Sequence, residues 1–274
     1  MDVVEVLEAY DQQLRRSMAA PTDAWTVELL TDPAPMLRVT APDGASWGDG
    51  ITWTDLDEST ADAAIADAIE YFSTRGRGFE WKHHGYDAPP DLPDRLVAAG
   101  FRPEEQESVV VGEVEEVRRR LAAASQPEGV TVRRLREDDE GRRDDWAAIN
   151  TVHSTVWDED AGPLVREVSA EQAADPSAMS VWVAEVPDGS LVCAAWIRCH
   201  EGTDFASLWG GSTLPQWRGR GIYKALVGHR ADEAAQRGFR YLQVDASDDS
   251  RPILVRLGMH LLTSTTPYLW RPGT

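Results

Sequence analysis

Two arginines and two glycines alternate between residues 218 and 221 of this sequence, in the order Arg-Gly-Arg-Gly. An apolar segment that begins at Phe205 precedes them, and apolar residues at helical spacing follow from Ile222, so the pattern predicts a turn between a strand and a helix. The first turn of a helix leaves amide hydrogens unpaired, and the helix dipole favours an anion there. Glycines let that anion approach the backbone, and guanidinium groups add charge-assisted hydrogen bonds. The turn is therefore predicted to bind a phosphate or a diphosphate.

Spacing separates this turn from two other phosphate-binding loops. A Walker A loop requires Gly-x-x-x-x-Gly-Lys-Ser/Thr, which the sequence does not contain, so the simplest nucleoside triphosphatase is excluded. A dinucleotide-binding loop requires Gly-x-Gly-x-x-Gly, but Lys224 stands where the third glycine belongs. Asp245, at the end of the next predicted strand, does match the ribose-binding acid of that loop. A nucleotide-dependent oxidoreductase therefore remains a distant alternative.

The spacing Arg218-x-x-Gly221-x-Tyr223 resembles the Arg/Gln-x-x-Gly-x-Gly/Ala loop of the GNAT superfamily of acyl-CoA-dependent N-acyltransferases, with Tyr223 in place of Gly or Ala. The resemblance extends over about residues 129 to 274, because the order of predicted elements matches the GNAT core. Those elements are a strand at 130–135, helices at 144–156 and 164–173, a hairpin at 179–186 and 191–200, a strand at 205–214, the loop and its helix, a strand at 239–244, a helix at 250–257 and a strand at 260–270.

The amino-terminal half contains a weaker version of the same pattern. The segment from Gly78 to Val111 repeats the order strand, short helix, strand that begins again at Gly238. Strands at 35–40 and 51–54 and a helix at 60–73 precede it, but the junction before that helix carries three acids and neither glycine nor arginine. That junction is not predicted to bind a diphosphate.

We therefore predict an α/β fold in which a central mixed sheet flanked by helices occurs twice. The predicted organisation is a degenerate GNAT-like domain at residues 1–112, a helical linker at 113–129 and an acetyl-CoA-binding GNAT domain at 130–274. As in other tandem GNAT proteins, the first domain is expected to be structural and to shape the acceptor pocket of the second.

The resemblance implies that the pantetheine arm of acetyl-CoA enters between two splayed parallel strands, here 205–214 and 239–244. Backbone groups at Ser212, Thr213 and Leu214 would hold the arm, with one amide polarising the thioester carbonyl. The diphosphate would rest on the amides of residues 217–222. The predicted cofactor-binding residues of the loop are Trp217, Arg218, Gly219, Arg220, Gly221, Ile222 and Tyr223.

The proton-transfer residues that GNAT enzymes commonly use are replaced in this sequence. Leu254 stands at the position of the tyrosine that protonates the leaving thiolate, and Ser207 at that of a glutamate base. Asp245 is the first candidate for a base or for binding a cationic amine, although a helix N-cap explains it equally well. The candidates for the proton donor are Tyr268, which a core position also explains, together with Ser247, Ser250 and Tyr223.

The segment from His153 to Leu164 occupies the place where GNAT proteins line the acceptor site. Candidate substrate-binding residues are His153, Trp157 and Asp158 in this segment and Glu185 on the predicted hairpin; His153 and Glu185 are also second choices for the base. The chain holds 11 tryptophans, which suit an aromatic wall for a cation but are more often core residues.

The formal net charge is −20, with −15 on residues 1–128 and −5 on the rest. A negative field of this kind disfavours nucleic acids and anionic membranes as partners and attracts a cationic amine. The alternative interpretation is that the charge only keeps the protein soluble. No apolar run is long enough to span a membrane and no signal-peptide pattern opens the sequence. Cys193 and Cys199 lie too far apart along one predicted strand to pair, and no metal-binding spacing occurs. A cytoplasmic protein without a metal is expected.

The sequence thus predicts an N-acetyltransferase that moves an acetyl group from acetyl-CoA to a primary amine of a small, cationic metabolite or antibiotic. The alternative is a non-catalytic acyl-CoA-binding or sensing module, which the missing tyrosine and glutamate favour. The acyl chain length and the oligomeric state are not predicted.

Overall fold

The computed structural model describes residues 1–18, 20–45, 48–122 and 127–273. They divide into two compact units, and each unit takes segments from both halves of the sequence. The C-terminal unit consists of Met1, Val110–Val244 and Asp249–His260, and the N-terminal unit of Asp2–Val109, Asp245–Asp248 and Leu261–Thr274. Residues 123–126 of the predicted linker lie outside the described residues, and the limits predicted at residues 112 and 130 stay a prediction.

Strands and helices alternate along most of the chain. The strands are β1 Thr26–Leu30, β2 Met36–Thr40, β3 Gly50–Thr54, β4 Phe79–His84, β5 Arg102–Pro103, β6 Glu107–Glu113, β7 Thr131–Arg134, β8 Met179–Glu185, β9 Leu191–Cys199, β10 Phe205–Thr213, β11 Tyr241–Ala246 and β12 His260–Trp270. The α-helices are α1 Val3–Tyr10, α2 Ala61–Ser73, α3 Leu92–Ala98, α4 Val114–Leu121, α5 Asp139–Trp157, α6 Gly162–Ala174, α7 Ile222–Gln236 and α8 Arg251–Arg256. A π-helical turn, Asp11–Arg15, follows α1, and a 3₁₀ turn, Pro215–Trp217, follows β10.

The N-terminal unit contains a mixed sheet in the order β1-β2-β3-β4-β12, with β5 also paired to β12. Strands β3 and β4 are parallel, and the other neighbours are antiparallel. Helix α2 places a residue on its buried face every three or four positions, from Ala61 to Phe72, as an amphipathic helix requires. This face packs with Phe79 and Trp81 of β4 in one hydrophobic core.

The C-terminal unit contains a mixed sheet in the order β6-β11-β10-β9-β8-β7. Strands β10 and β11 are parallel, whereas β10, β9, β8 and β7 are successively antiparallel. Neighbouring residues of β9 join two different clusters: Ala194 and Trp196 pack with α5 and α6, and Cys193 and Ala195 pack with α7. Since side chains alternate along a strand, helices cover both faces of this sheet, which explains why β9 is apolar almost throughout.

The predicted mixed α/β architecture, a central sheet flanked by helices, is confirmed. Helix α5 begins earlier than predicted because Asp138 caps it, accepting a hydrogen bond of 2.7 Å from the Gly141 amide. Helix α1 and strands β1 and β5 were not predicted. Strand β1 is largely exposed at one end of its sheet, so it carries no clear alternation of buried and exposed residues.

Candidate functional site

The chain between β10 and α7 presents a row of backbone amides. The Trp217 and Arg218 amides donate to the carbonyls of Leu214 and Pro215, at 2.8 and 3.2 Å, within the 3₁₀ turn. The Ala225 amide is the first in α7 with a helical partner, the Gly221 carbonyl at 3.0 Å. The amides of residues 219–224 have no acceptor within the described part of the chain. Six backbone donors therefore lie in or directly before the first turn of α7, at the positive end of the helix dipole.

Glycines keep the space before these amides open. Gly219 and Gly221 have φ of 76° and 80°, in the left-handed region that other residues rarely adopt. No heavy atom lies within 4 Å of the position that a Cβ would take at either residue. The turn from Gly219 is therefore an open stretch of bare backbone, whereas the Trp217 and Arg218 amides, which were also predicted to hold the anion, are already bonded.

The two arginines of the turn are exposed and carry no carboxylate partner among the described residues. Arg218 donates from Nε to the Thr213 carbonyl at 3.2 Å. The Arg220 guanidinium lies over the Trp217 ring, 4.5 Å from its centroid. In a chain with a net charge of −20, these two cations without carboxylate partners make the turn a locally positive part of the surface.

Strands β10 and β11 pair only at their beginnings. Their parallel register runs from Phe205 with Tyr241 to Ser207 with Gln243, whereas β10 continues to Thr213. The second half of β10 is therefore paired on one side alone, to β9. This is the separation of strands expected where an extended ligand arm enters the sheet.

A β-bulge lies in that second half of β10. Two residues, Gly210 and Gly211, oppose the single residue Ala195, because the register with β9 shifts between Trp209 and Ser212. Gly210 has φ of 64°, and a Cβ on it would meet the Trp196 ring at 1.9 Å. A Cβ on Gly211 would meet the Tyr223 ring of α7 at 2.6 Å. Both positions thus require glycine, and adjacent glycines inside a strand pattern were the signal that sequence reasoning missed.

Beyond the bulge, the three residues predicted to hold the pantetheine arm differ in what they offer. Ser212 is buried, and the Thr213 hydroxyl lies 3.1 Å from the Cys193 sulfur. The Leu214 amide donates to the Val192 carbonyl at 3.0 Å, so this amide is not free to polarise a carbonyl. The side chains of Trp217 and Ile222 pack in the cluster around α7.

The predicted acceptor residues divide into buried and exposed ones. His153 is 0 % exposed, with Nδ1 3.0 Å from the Ile149 carbonyl and Nε2 2.9 Å from the Gly210 carbonyl. Glu185 is paired with Arg133, which also binds the buried carboxylate of Asp145. Trp157 and Asp158 end α5 at the surface, and Asp158 adopts a left-handed φ of 56°.

Three of the residues predicted for proton transfer, Asp245, Tyr268 and Ser247, belong to the N-terminal unit, whereas the candidates Ser250 and Tyr223 belong to the C-terminal unit. The Asp245 carboxylate lies 2.5 Å from Lys82 Nζ, and the buried Tyr268 packs in the hydrophobic core of that unit. Burial raises the pKa of the Tyr268 hydroxyl. Ser247 is exposed in the turn after β11. Within the described chain, the structure groups the predicted loop residues in one unit and these three in the other.

Ser207 and Leu254, the two departures from the GNAT pattern, are both buried. Leu254 of α8 is 0 % exposed. The Ser207 hydroxyl accepts a hydrogen bond of 2.6 Å from the Trp209 indole and lies 2.7 Å from His200 Nε2. The indole can only donate, and the direction of the bond between the hydroxyl and His200 follows the tautomer of the histidine. Burial and the neighbouring Arg198 lower the pKa of His200 to about 4, so its ring is neutral at pH 7.

Three further properties bear on the kind of site. Among the described residues, no group of His, Cys, Asp and Glu has the arrangement of a metal centre. The described helices include none that is long and apolar enough to cross a membrane. Cys193 and Cys199 are free thiols, and burial raises the pKa of each to about 11.

Comparison with known proteins agrees with this geometry. Residues 145–259 match the family described as "Acetyltransferase (GNAT) family". A GCN5-related N-acetyltransferase from Kribbella flavida has a similar structure, with a TM-score of 0.67, 18% identity, and coverage of 99% of this chain and 96% of that one. A tandem GNAT protein from the clavulanic acid biosynthesis pathway has a TM-score of 0.63 and 14% identity, with coverage of 99% of this chain and 95% of that one. A GCN5-related N-acetyltransferase from Sphaerobacter thermophilus has a TM-score of 0.58 and 17% identity, with coverage of 87% of this chain and 82% of that one.

A search of the curated proteins found no match. The structural similarities, all under 25% identity, establish the fold, and the family match falls on the half that contains the free amides and the separated strands. Residues 145–259 therefore match the GNAT family of acetyltransferases, and the chain has a fold similar to that of tandem GNAT proteins.

Proposed function

We propose that the C-terminal unit binds acetyl-CoA and transfers its acetyl group to a primary amine of a small, cationic molecule. The observation that supports this most directly is the row of unpaired amides at residues 219–224, at the start of the 15-residue helix α7. These amides suit the diphosphate of the donor, with Arg218 and Arg220 beside them.

The remainder of the donor fits the region where β10 leaves β11. In this proposal the pantetheine arm lies along β10 from the turn towards the bulge, and the thioester is polarised by an amide of that strand. Since the Leu214 amide is bonded to Val192, the amides at the bulge are the better candidates. The amine attacks the thioester carbon in its neutral form, and the departing thiolate takes up a proton.

The acceptor is proposed from charge and exposure. The net charge of −20 favours the approach of a cation, and Trp157 and Asp158 present an aromatic ring and a carboxylate at the exposed end of α5. His153 and Glu185 already have partners and suit a supporting role. Asp245, Ser247 and Tyr268 remain the proposed proton-transfer residues, and the neutral His200 bonded to Ser207 joins them.

We further propose that the N-terminal unit is a degenerate copy without a donor site of its own and that the protein works in the cytoplasm, where both thiols stay reduced. One observation favours a second function, an acyl-CoA sensor without turnover. The position of the usual tyrosine is occupied by the fully buried Leu254, which donates no proton.

The test measures binding and turnover separately. Coenzyme A and acetyl-CoA are titrated calorimetrically, and free thiol release from acetyl-CoA is followed over a panel of amino acid derivatives, polyamines and aminoglycosides. Thiol release with at least one amine supports the acetyltransferase. Tight binding without release on any amine supports the sensor, whereas no binding of either nucleotide refutes both. NAD(H) serves as the control ligand, because a rise in melting temperature with NAD(H) alone would support the oxidoreductase.

A further inference from the structure

Helix α7 carries a buried cation whose described partners are all backbone carbonyls. The Arg230 side chain is 1% exposed and donates from Nε to the Leu226 carbonyl at 3.1 Å. Its Nη1 donates to the carbonyls of Trp196 and Trp209, at 3.1 and 3.4 Å. Arg230 forms no ion pair within the described part of the chain. Burying a guanidinium without a carboxylate costs several kcal/mol, so stability alone does not account for it.

The partners of Arg230 identify the feature that it supports. Trp196 and Trp209 face each other across β9 and β10 at the last regular pair before the bulge. A bulge interrupts the ladder of hydrogen bonds, and buried carbonyls without partners are costly. Arg230 bridges the two strands at that interruption with one nitrogen.

The next carbonyl of the bulge is bound by a residue from another helix. Nε2 of His153, on α5, lies 2.9 Å from the Gly210 carbonyl. Both ring nitrogens face carbonyl oxygens, Nδ1 that of Ile149 at 3.0 Å and Nε2 that of Gly210, and in the tautomer with the hydrogen on Nε2 the ring donates to the bulge. Helices α5 and α7 belong to the two different hydrophobic clusters of the sheet, so the bulge is held from both faces.

Holding a carbonyl also fixes the amide of the same peptide unit. In a trans peptide the C=O and N–H bonds point in opposite directions. The contact of Arg230 with the Trp209 carbonyl therefore sets the direction of the Gly210 amide. The contact of His153 with the Gly210 carbonyl likewise sets the direction of the Gly211 amide.

We propose that Arg230 and His153 are positioning residues that hold the bulge so that one of its amides points at the thioester carbonyl of bound acetyl-CoA. This inference rests on the proposed function. It is supported by the place of the bulge, three and four residues after the pairing of β10 with β11 ends, and by the two glycines that leave the backbone bare. Arg230 also lies eight residues after Ile222 on α7, so about 12 Å of helix separates the bulge support from the diphosphate turn.

The experiment reads the thioester directly and needs no acceptor amine. Acetyl-CoA labelled with ¹³C at the thioester carbonyl is bound to the full chain, and the carbonyl stretch is measured by isotope-edited infrared difference spectroscopy. In the wild-type protein we expect a shift to lower wavenumber than in water. Arg230→Met should lose most of that shift while its Kd for acetyl-CoA stays within about threefold, because the amides of the turn are intact. Once an amine is known, kcat should fall roughly 10²- to 10³-fold at unchanged Kd.

Controls separate positioning from general damage. Arg237→Met makes the same change at the partly exposed C-cap of α7 and should keep the wild-type shift. If Arg230→Met does not fold, the carbonyl shift is measured instead in Arg230→Lys, in His153→Gln and in His153→Leu. His153→Gln retains a donor and should keep more of the shift than His153→Leu.

Three results would overturn the inference. A wild-type carbonyl shift that survives in the folded Arg230 variants and in His153→Leu refutes the positioning role alone. Binding of acetyl-CoA to the wild-type protein without any shift does the same. If the wild-type protein binds no acetyl-CoA, the proposed function fails and this inference fails with it.

Discussion

Replacing Gly221 by aspartate separates anion binding from stability. Gly221 is the N-cap of α7, with φ of 80° and no heavy atom within 4 Å of its Cβ position. A side chain at this φ costs about 1 kcal/mol, and aspartate tolerates it better than most residues. A carboxylate at the start of a helix recovers about 0.3–1 kcal/mol from the dipole. We therefore expect a melting temperature close to that of the wild-type protein.

Binding should respond very differently. A carboxylate at residue 221 stands beside the amides that are proposed to hold the diphosphate. At a separation of about 6 Å and an effective dielectric constant of about 20–40, two phosphate charges repel it by roughly 3–5 kcal/mol in total. That energy corresponds to roughly 10²- to 10⁴-fold weaker binding of coenzyme A.

The matched control is Gly189→Asp. Gly189 lies in the turn between β8 and β9 with φ of 88° and an equally open Cβ position, so the substitution adds the same strain and the same charge. Calorimetric titrations with coenzyme A compare both variants with the wild-type protein at one salt concentration. If Gly221→Asp binds coenzyme A within about threefold of Gly189→Asp, the diphosphate does not rest on this turn.

Three other predictions concern stability. Gly210→Ala should lower the free energy of unfolding by about 2–4 kcal/mol in urea denaturation, because its Cβ would lie 1.9 Å from a tryptophan ring. The control Gly189→Ala should lower it by only about 1 kcal/mol. Equal losses in the two variants would contradict the tight packing of the bulge. Burial raises the pKa of Glu107 from 4.5 to about 7, so the folded state keeps this proton longer and the free energy of unfolding falls as the pH rises between these values. After allowance for solvent screening, Glu107→Gln should stabilise the protein by about 1–2 kcal/mol at pH 8, with a gain that shrinks towards pH 4.5; a gain independent of pH would exclude this cause. Lys82→Met removes the cation that contacts the Asp245 carboxylate and should lower the free energy of unfolding by about 1–3 kcal/mol. Adding Asp245→Asn in the double variant should restore part of this loss. Strictly additive losses in the two single variants and the double variant would show that the pair is not coupled.

The elements around the turn were predictable because their signals are local. Helical spacing begins at Ile222, the two glycines stand where positive φ is needed, and the order of strands follows from alternation and from the turn at Pro187–Ser190. Each of these features depends on residues within about ten positions along the chain.

The setting of single polar side chains was not predictable in the same way. A histidine within a helical pattern gives no indication of whether it faces substrate or the core, and His153 is fully buried against the Gly210 carbonyl. Glu185 is an acidic residue in a strand with an alternating pattern, and its partner Arg133 lies on another strand, which the pattern does not reveal. The burial of Arg230 did have a signal in the sequence, because this arginine stands four residues after Leu226 on the apolar face of its helix.

The last strand shows a further limit of sequence reasoning. The apolar pattern of β12 is the same whichever strand it pairs with, so the sequence alone did not reveal that Tyr268 faces Trp81 of β4. The proposed roles of Tyr268 and Asp245 depend on such long-range pairing, and both residues belong to the N-terminal unit.

The pairing of β4 with β12 also affects the protein during its synthesis. Strand β4 ends at His84, but its partner is complete only at Trp270, so a ribosome working at 5–20 residues per second takes roughly 10–40 s to supply it. Throughout that interval the nascent chain exposes an unpaired strand edge flanked by aromatic core residues, a state that is prone to aggregate or to engage a chaperone. A stop codon shortly before residue 261 would make this exposure permanent, and a truncated chain that ends near residue 128 would retain the same open edge.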